Sequence, residues 1–311
     1  MRIMIIGAGA MGCLHGAKLS ERGHEVVMID VRSEVVDMIN RDGIRLEGVG
    51  GECCVAVAAA RPDADLEPAE VILVLSHTDA NPAVAQTARR LLSPQGFAIT
   101  LQNGIGNVES LAETLGPQRV LGGISYNSAT GLGPGHVTHT NPGPTWIGEI
   151  DGHRSSRIDA LQEILEGTGF ETSVSQNIMG VIWNKLAVAC AIHPICALTG
   201  LMAGEISSVP AADALQDKVL EEFLDVVRAK EVTLANPDVV ATIKDLSRSV
   251  MVKPSMRQHI ERGLPTEIDA QNGALVRQAR ALHLHTPCNE TLTLAVKAAN
   301  AARPVCRPQD D

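Results

Sequence analysis

The sequence predicts an α/β protein in two parts: a parallel sheet covered by helices over residues 1–175, then an all-helical part over residues 176–311. Three observations carry that reading. Residues 2–30 run strand, glycine turn, helix, strand; apolar runs recur at 71–76 and 97–103 with a helical stretch between them; and from Gln176 onward the pattern is helical, with few β-like runs.

"RIMII" at 2–6 is a short apolar run after Arg2, as expected of a strand buried on both faces. "GAGAMG" follows at once and places Gly7, Gly9 and Gly12 in the spacing G-x-G-x-x-G. Gly7 permits a tight turn, Gly9 lets a pyrophosphate approach the backbone, and Gly12 lets a helix pack closely on the strand. The run Gly7, Ala8, Gly9, Ala10, Met11, Gly12 thus opens a helix whose N-terminus offers unpaired N–H groups and partial positive charge to phosphates. That helix, "CLHGAKLSERG", stops at Gly23, and a second strand, "EVVMI", leads to Asp30. An acid at Asp30 accepts hydrogen bonds from ribose hydroxyls and repels a 2′-phosphate, which favours NAD over NADP. Arg32 leaves NADP as the alternative, since an arginine there can hold a 2′-phosphate; Asp30 is also readable as a loop acid ahead of Ser33, a good N-cap. A lone glycine turn is weak evidence, but this order of elements is the fingerprint of a Rossmann-type dinucleotide-binding domain.

Farther on, "VILVLS" and "FAITLQN" read as strands separated by the helix "PAVAQTARRLLSP", which Pro94 and Gly96 end. "QNGIGN" at 102–107 falls where a strand's C-terminal end meets a loop, the ligand side of such sheets, although "NG" alone reads as an ordinary turn. Beyond residue 120, short β-like runs broken by Gly and Pro suggest antiparallel strands extending the sheet. A helix, "RIDALQEILEGTG", and a last strand, "ETSVS", then bring the chain to a domain boundary near Ser175.

The clearest helices of the second part span 180–200, 211–232 and 268–282. The first, "GVIWNKLAVACAIHPICALTG", carries Lys185 with no acid at i±3 or i±4. Burying an unpaired ammonium costs several kcal/mol, so such a lysine is exposed, neutralised or used. The tail "RPVCRPQDD" reads as disordered.

Composition narrows the function. A net charge of −10 disfavours nucleic acid and anionic membrane as partners, so an anionic ligand must be held by local features. Aromatics are only 2%, which leaves the core to aliphatic residues and Met. The seven cysteines form no CxxC pair and no Cys/His metal spacing, so no metal is expected and a reducing cytoplasm fits them. No uninterrupted apolar stretch reaches the roughly 20 residues of a membrane span, and glycines interrupt the N-terminal apolar run too early for a signal peptide.

"WNKLAVACAIHPICAL", with "PSMRQHIERGLPTEIDAQNGALVRQARALHLHTPCNETL" at 254–292, resembles the ketopantoate reductases. The resemblance extends to "GAGAMG" and "NGIGN" and covers almost the whole chain; W-x-K-L, S-M, T-E-I-D-x-x-N-G and T-P in this order are its specific marks. It implies a Rossmann domain joined to an all-helical domain, with nicotinamide-dependent catalysis in the cleft between them. It also implies that Lys185 is the general acid that protonates a substrate carbonyl, and the base in the reverse direction. Glu267 matches a glutamate that holds substrate and cofactor, Ser255 a serine that bonds the substrate carboxylate, and Asn103 an asparagine between cofactor and substrate. Read without the resemblance, Lys185 is a snorkelling lysine, Glu267 a helix cap and Ser255 an ordinary polar residue.

Four places depart from the family pattern. Two asparagines expected four and eight residues after the lysine are Ala189 and His193, and a third, before "GE", is Ala203. Losing these amides counts against ketopantoate itself and suggests a pocket more open at the two alanines. His193 can meet a substrate carboxylate as a cation or a hydroxyl as a neutral ring, or simply fill space beside Pro194. Where NADP-using members carry an arginine and a lysine, this chain has Asp30-Val31-Arg32 and Ser76-His77, with Ser76 expected at the cofactor. The expectation is therefore an NAD-preferring oxidoreductase acting on a small 2-oxo or 2-hydroxy acid or a related polar ketone or alcohol, cytoplasmic, with a homodimer implied by the family. The alternatives are ketopantoate reductase proper and a non-catalytic dinucleotide sensor.

Overall fold

The apolar runs form parallel strands because both of their faces are covered. Ile3, Met4 and Ile5 of β1 (Arg2–Ile6) expose no surface, and β1 pairs in parallel with β2 (Glu25–Ile29) on one side and β6 (Ala69–Val74) on the other. The structure, a computed structural model, describes residues 1–302; the run expected to be disordered, 303–311, lies outside the described residues. It forms two units: Met1–Gln102 with Gly106–Ile178, and Asn103–Ile105 with the chain from Met179 onward.

The main sheet of the first unit has eight strands in the order β12-β11-β8-β7-β6-β1-β2-β5. Its remaining members are β5 (Ala58–Ala60), β7 (Leu92–Thr100), β8 (Val120–Ser125), β11 (Thr145–Glu149) and β12 (Thr172–Val174). All pairings are parallel except that of β11 with β8. The crossovers include α1 (Ala10–Glu21), α3 (Asn81–Leu91) and α4 (Asn107–Leu115), while α2 (Ser33–Asp42) follows β2 and α5 (Ser156–Gly167) precedes β12. One aliphatic core, including Ile3, Ile5, Leu14, Met28, Leu73, Ile99 and Leu121, joins sheet and helices.

The expected antiparallel extension of the sheet is only half right. Strand β8 continues the parallel sheet and β11 is antiparallel, but β9 (Ser128–Gly133) and β10 (His136–Asn141) leave it. They join β3 (Ile44–Gly48) and β4 (Cys53–Val55) in a second sheet of order β4-β3-β10-β9. The reason is in the side chains: along β10 only Val137 and His139 are buried, an alternation that suits a sheet covered on one face. That face packs on α1, where the His15 and Phe170 rings stack at 4.5 Å and His139 meets Phe170 edge-on.

The second unit is helical: α6 (Ile178–Thr199), α7 (Pro210–Ala229), α8 (Val239–Ser249), α9 (Ser255–Glu261), α10 (Asn272–Ala281) and α11 (Pro287–Ala302). Helix α6 is long and apolar enough to cross a membrane by composition, yet 67% of its most apolar window is buried within the protein, as in a core helix. Pro194 interrupts it, since a proline nitrogen cannot bond the carbonyl four residues back. That carbonyl, on Cys190, accepts instead from Asn272 Nδ2 at 3.1 Å. Asn272 Nδ2 also reaches Asn289 Oδ1 at 3.0 Å, and Glu222 receives the backbone N–H groups of Cys288 and Asn289 at 2.7 and 2.9 Å. A buried amide network thus does at the kink what the missing helical bond cannot.

Candidate active site

In the first unit the glycine turn is built around Asp30. The Ala8 N–H donates to Asp30 Oδ2 at 2.8 Å, tying the turn to the end of β2. Gly12 has no room for a side chain, because a Cβ there would collide with the Gly7 carbonyl. Gly9 differs: a Cβ there would meet no protein atom within 4 Å, so the protein itself does not demand a glycine. Gly9 is also the N-cap of α1, supplies no side-chain cap, and has no acid in the turn that follows, where Ala10, Met11 and Gly12 present helix N-terminal N–H groups. A bare backbone wall beside unpaired donors and a positive helix end fits a pyrophosphate. Ser76 follows β6 against Gly7, and its carbonyl accepts from Gln102 Nε2 at 2.9 Å. Gln102 Nε2 also binds Asn81 Oδ1 at 2.9 Å, and Asn81 Nδ2 reaches Asn107 Oδ1 at 2.8 Å, so an amide chain braces the C-terminal ends of β6 and β7.

Arg32 is where the sequence reading needs amendment. Its Nε and Nη2 hold Asp30 Oδ1 and Oδ2 at 2.9 and 3.0 Å, and its backbone N–H adds a bond of 3.0 Å. Burial alone would raise the Asp30 carboxyl, but the bonds from Arg32 and Ala8 outweigh it and hold the carboxyl below the usual carboxylate range. Asp30 is buried and charged, and its half-exposed arginine is already committed to it.

The second unit brings together the residues to which the sequence reading assigns proton chemistry. Lys185 Nζ donates to Asn103 Oδ1 at 2.9 Å, and Asn103 Nδ2 donates to Glu267 Oε1 and Oε2 at 3.1 and 2.9 Å. The asparagine reaches this position because Gly104 has a φ of +86° and lies so close to the Ala270 carbonyl that any Cβ would collide with it. "NG" is therefore more than an ordinary turn. Glu267 begins a turn whose N–H groups at Ala270 and Gln271 bond its carbonyl at 3.0 and 3.1 Å, and α10 starts only at Asn272, four residues later than the periodicity suggests. Burial lowers the Lys185 ammonium to about 8 against the opposing charge of Glu267. Lys185 is thus protonated at neutral pH yet titrates close to it, as a group that must both give and take a proton requires.

Gln271 was not singled out in the sequence. Its Nε2 donates to Glu267 Oε2 at 3.4 Å and its Oε1 lies 3.2 Å from His193 Nδ1, which links His193 to the lysine through three side chains. The only signal was its place four residues after Glu267. Of the two readings of His193, burial favours the neutral ring, since it lowers the imidazole to about 4. Ala189 and Ala203 are both buried. Ser255 stands exposed at the start of α9 and makes no hydrogen bond to this cluster among the described residues.

Comparison with known proteins identifies the family. The chain matches the family models "Ketopantoate reductase PanE/ApbA" over residues 3–152 and "Ketopantoate reductase PanE/ApbA C terminal" over residues 177–300. It is 30% identical over 303 residues to the 2-dehydropantoate 2-reductase of Pyrococcus horikoshii, covering 96% of this chain and 97% of the relative. The corresponding protein of Mesorhizobium japonicum is also 30% identical, over 318 residues, with 96% and 97% covered. A solved PanE/ApbA family ketopantoate reductase from Ralstonia eutropha superimposes with a TM-score of 0.86 at 30% identity, covering 97% of this chain and 99% of the other. D-mandelate dehydrogenase, solved with NADH and anilino(oxo)acetate, superimposes at 0.87 over 97% and 99% of the two chains; at 24% identity it shares the fold. The chain therefore belongs to the ketopantoate reductase family and is an NAD(P)-dependent oxidoreductase acting between a CH–OH and a C=O group.

Proposed function

We propose that this protein interconverts a small 2-oxo acid and its 2-hydroxy acid, with Lys185 as general acid and base and with NAD(H) preferred. The observation that carries the reading is the bond from Lys185 Nζ to Asn103 within the Asn103–Glu267 pair. When bound, the reduced nicotinamide supplies the hydride that forms the new C–H bond at the carbonyl carbon. Lys185 supplies the proton: its N–H bond breaks as the carbonyl oxygen becomes a hydroxyl, leaving a neutral amine that regains a proton from solvent. In the opposite direction the neutral amine accepts the hydroxyl proton. Asn103 holds Nζ at one place, and Glu267 raises the lysine against its burial, so the ammonium form persists at neutral pH. Ser255 lies outside this proton path and is assigned only to the substrate carboxylate, on the family pattern.

For the dinucleotide, Gly7, Ala8, Gly9, Ala10, Met11 and Gly12 would hold the pyrophosphate and Asp30 would stand at the ribose. Arg32 is neutralised by Asp30, which removes it as a ready ligand for a 2′-phosphate and supports NAD over NADP. The proposed substrate is a 2-oxo acid other than 2-dehydropantoate, because Ala189, His193 and Ala203 lack the amides of the family pattern. The names of the relatives favour 2-dehydropantoate as the second reading. A panel of 2-oxo and 2-hydroxy acids with both cofactors tests this. Turnover of 2-oxo acids in the wild type and a loss of about 10²–10⁴-fold in kcat for Lys185→Ala, with NADH binding near normal, are expected. A Lys185→Ala protein with near-wild-type kcat would remove the lysine from the reaction.

A further inference from the structure

Resting on the reading of this site as a 2-oxo acid site, we infer that Gln271 fixes His193 as the Nδ1–H tautomer, so that its Nε2 is a hydrogen-bond acceptor that selects substrates bearing a hydroxyl and rejects those bearing a second carboxylate. The amide of Gln271 has only one consistent orientation. Glu267 accepts and does not donate, so the Gln271 atom facing it at 3.4 Å must be the NH₂ nitrogen. The atom facing His193 at 3.2 Å is then the carbonyl oxygen, which takes a proton from Nδ1. A neutral imidazole carries one proton, so Nε2 bears the lone pair. Burial, which keeps this ring neutral at physiological pH, excludes the doubly protonated form that would donate from both nitrogens.

Among the described residues His193 is half-buried, and its one hydrogen bond is that through Nδ1, which leaves Nε2 to a ligand. Gln271 bonds both His193 and Glu267, which sets the ring next to the Glu267–Asn103–Lys185 cluster. The two residues are eight apart on α6, about 12 Å along the helix axis, so His193 meets the far end of a short substrate rather than the reacting carbonyl. The asparagine of the family pattern can turn either a donor or an acceptor to that end. His193 held by Gln271 presents an acceptor only, and an anionic end is repelled by its lone pair while finding no cation there.

Two measurements test the inference. Long-range ¹H–¹⁵N NMR of the histidine rings, with His193→Asn to identify the signal, should show a protonated Nδ1 and an unprotonated Nε2 in the wild type. In Gln271→Leu that pattern should shift toward the other tautomer, a change that mere loosening of the fold would not produce. An Nε2–H or doubly protonated ring at pH 7 in the wild type overturns the inference without using cofactor or substrate. The second is kcat/KM for straight-chain 2-oxo acids of four to six carbons ending in methyl, hydroxyl or carboxylate. The best hydroxyl-ended acid should exceed its methyl counterpart by about tenfold or more, with the carboxylate poorest, and His193→Leu should reduce that ratio to within about threefold. Equal efficiency for methyl and hydroxyl ends, with both turned over, overturns the filter but leaves the functional reading intact. No turnover of any 2-oxo acid with either cofactor overturns the functional reading, and the filter falls with it.

Discussion

At the residue scale, Lys185 was legible in the sequence because no acid stands at i±3 or i±4 of its apolar helix, and an ammonium in such a place demands an explanation. A hydrogen-bond partner, Asn103, lies 82 residues away and arrives through a glycine turn, which spacing along a helix cannot reveal. Gln271 was not legible for the same reason, since a glutamine near a helix start becomes informative only once Glu267 and His193 are found on either side of it. Asp30 was legible by position, but its pairing with Arg32 was not, because whether an arginine meets a carboxylate or a phosphate depends on side-chain direction. That pairing leads to an expected outcome. Asp30→Asn frees Arg32 and removes the buried negative charge, so the kcat/KM ratio of NADPH to NADH should rise by about tenfold or more, whereas Arg32→Ala should leave NADH preferred. Steady-state kinetics with both cofactors checks it, and a wild type that already prefers NADPH contradicts it.

At the scale of elements, strands β1, β2, β6 and β7 announce themselves through apolar runs, because parallel strands are buried on both faces. The second sheet did not, since β10 pairs with β3, His136 opposite Arg45 and so 91 residues earlier, β9 joins only through β10, and their alternation does not say which sheet they join. Its contact with α1 carries a pH dependence. His15 is fully buried, its Nδ1 bonds the Met11 carbonyl at 2.8 Å, and burial lowers it to about 4. The folded pKa lies below the unfolded value, so the neutral ring's stability is fully present above about 6.5 and is lost as pH falls toward 4, by up to about 3 kcal/mol. Urea unfolding between pH 7 and 4 should show that loss, and His15→Phe should remove its share, leaving that of His193, whose ring burial also lowers. At the kink in α6, Asn272→Leu orphans the Cys190 carbonyl, at a cost of about 1–3 kcal/mol in the same assay. A cost near zero would mean that the amide does not support Pro194.

At the scale of the whole molecule, the change from β-like runs to continuous helical periodicity made the fold class readable, and the glycine fingerprint made the cofactor class readable. The substrate was not, because the three substitutions say which amides are missing and not which groups of a substrate take their place. The proposed reaction turns on one proton on Lys185, and its titration is the direct test. With its ammonium lowered by burial to about 8, kcat/KM for reduction should be level at neutral pH and fall as pH rises through about 8, while oxidation of the 2-hydroxy acid should rise over the same interval. The measurement is the pH profile of both directions in wild type and Lys185→Ala. Opposite, mirrored limbs near pH 8 that vanish with the lysine are the expected result; limbs that survive in Lys185→Ala, or that run the same way in both directions, would contradict the assignment.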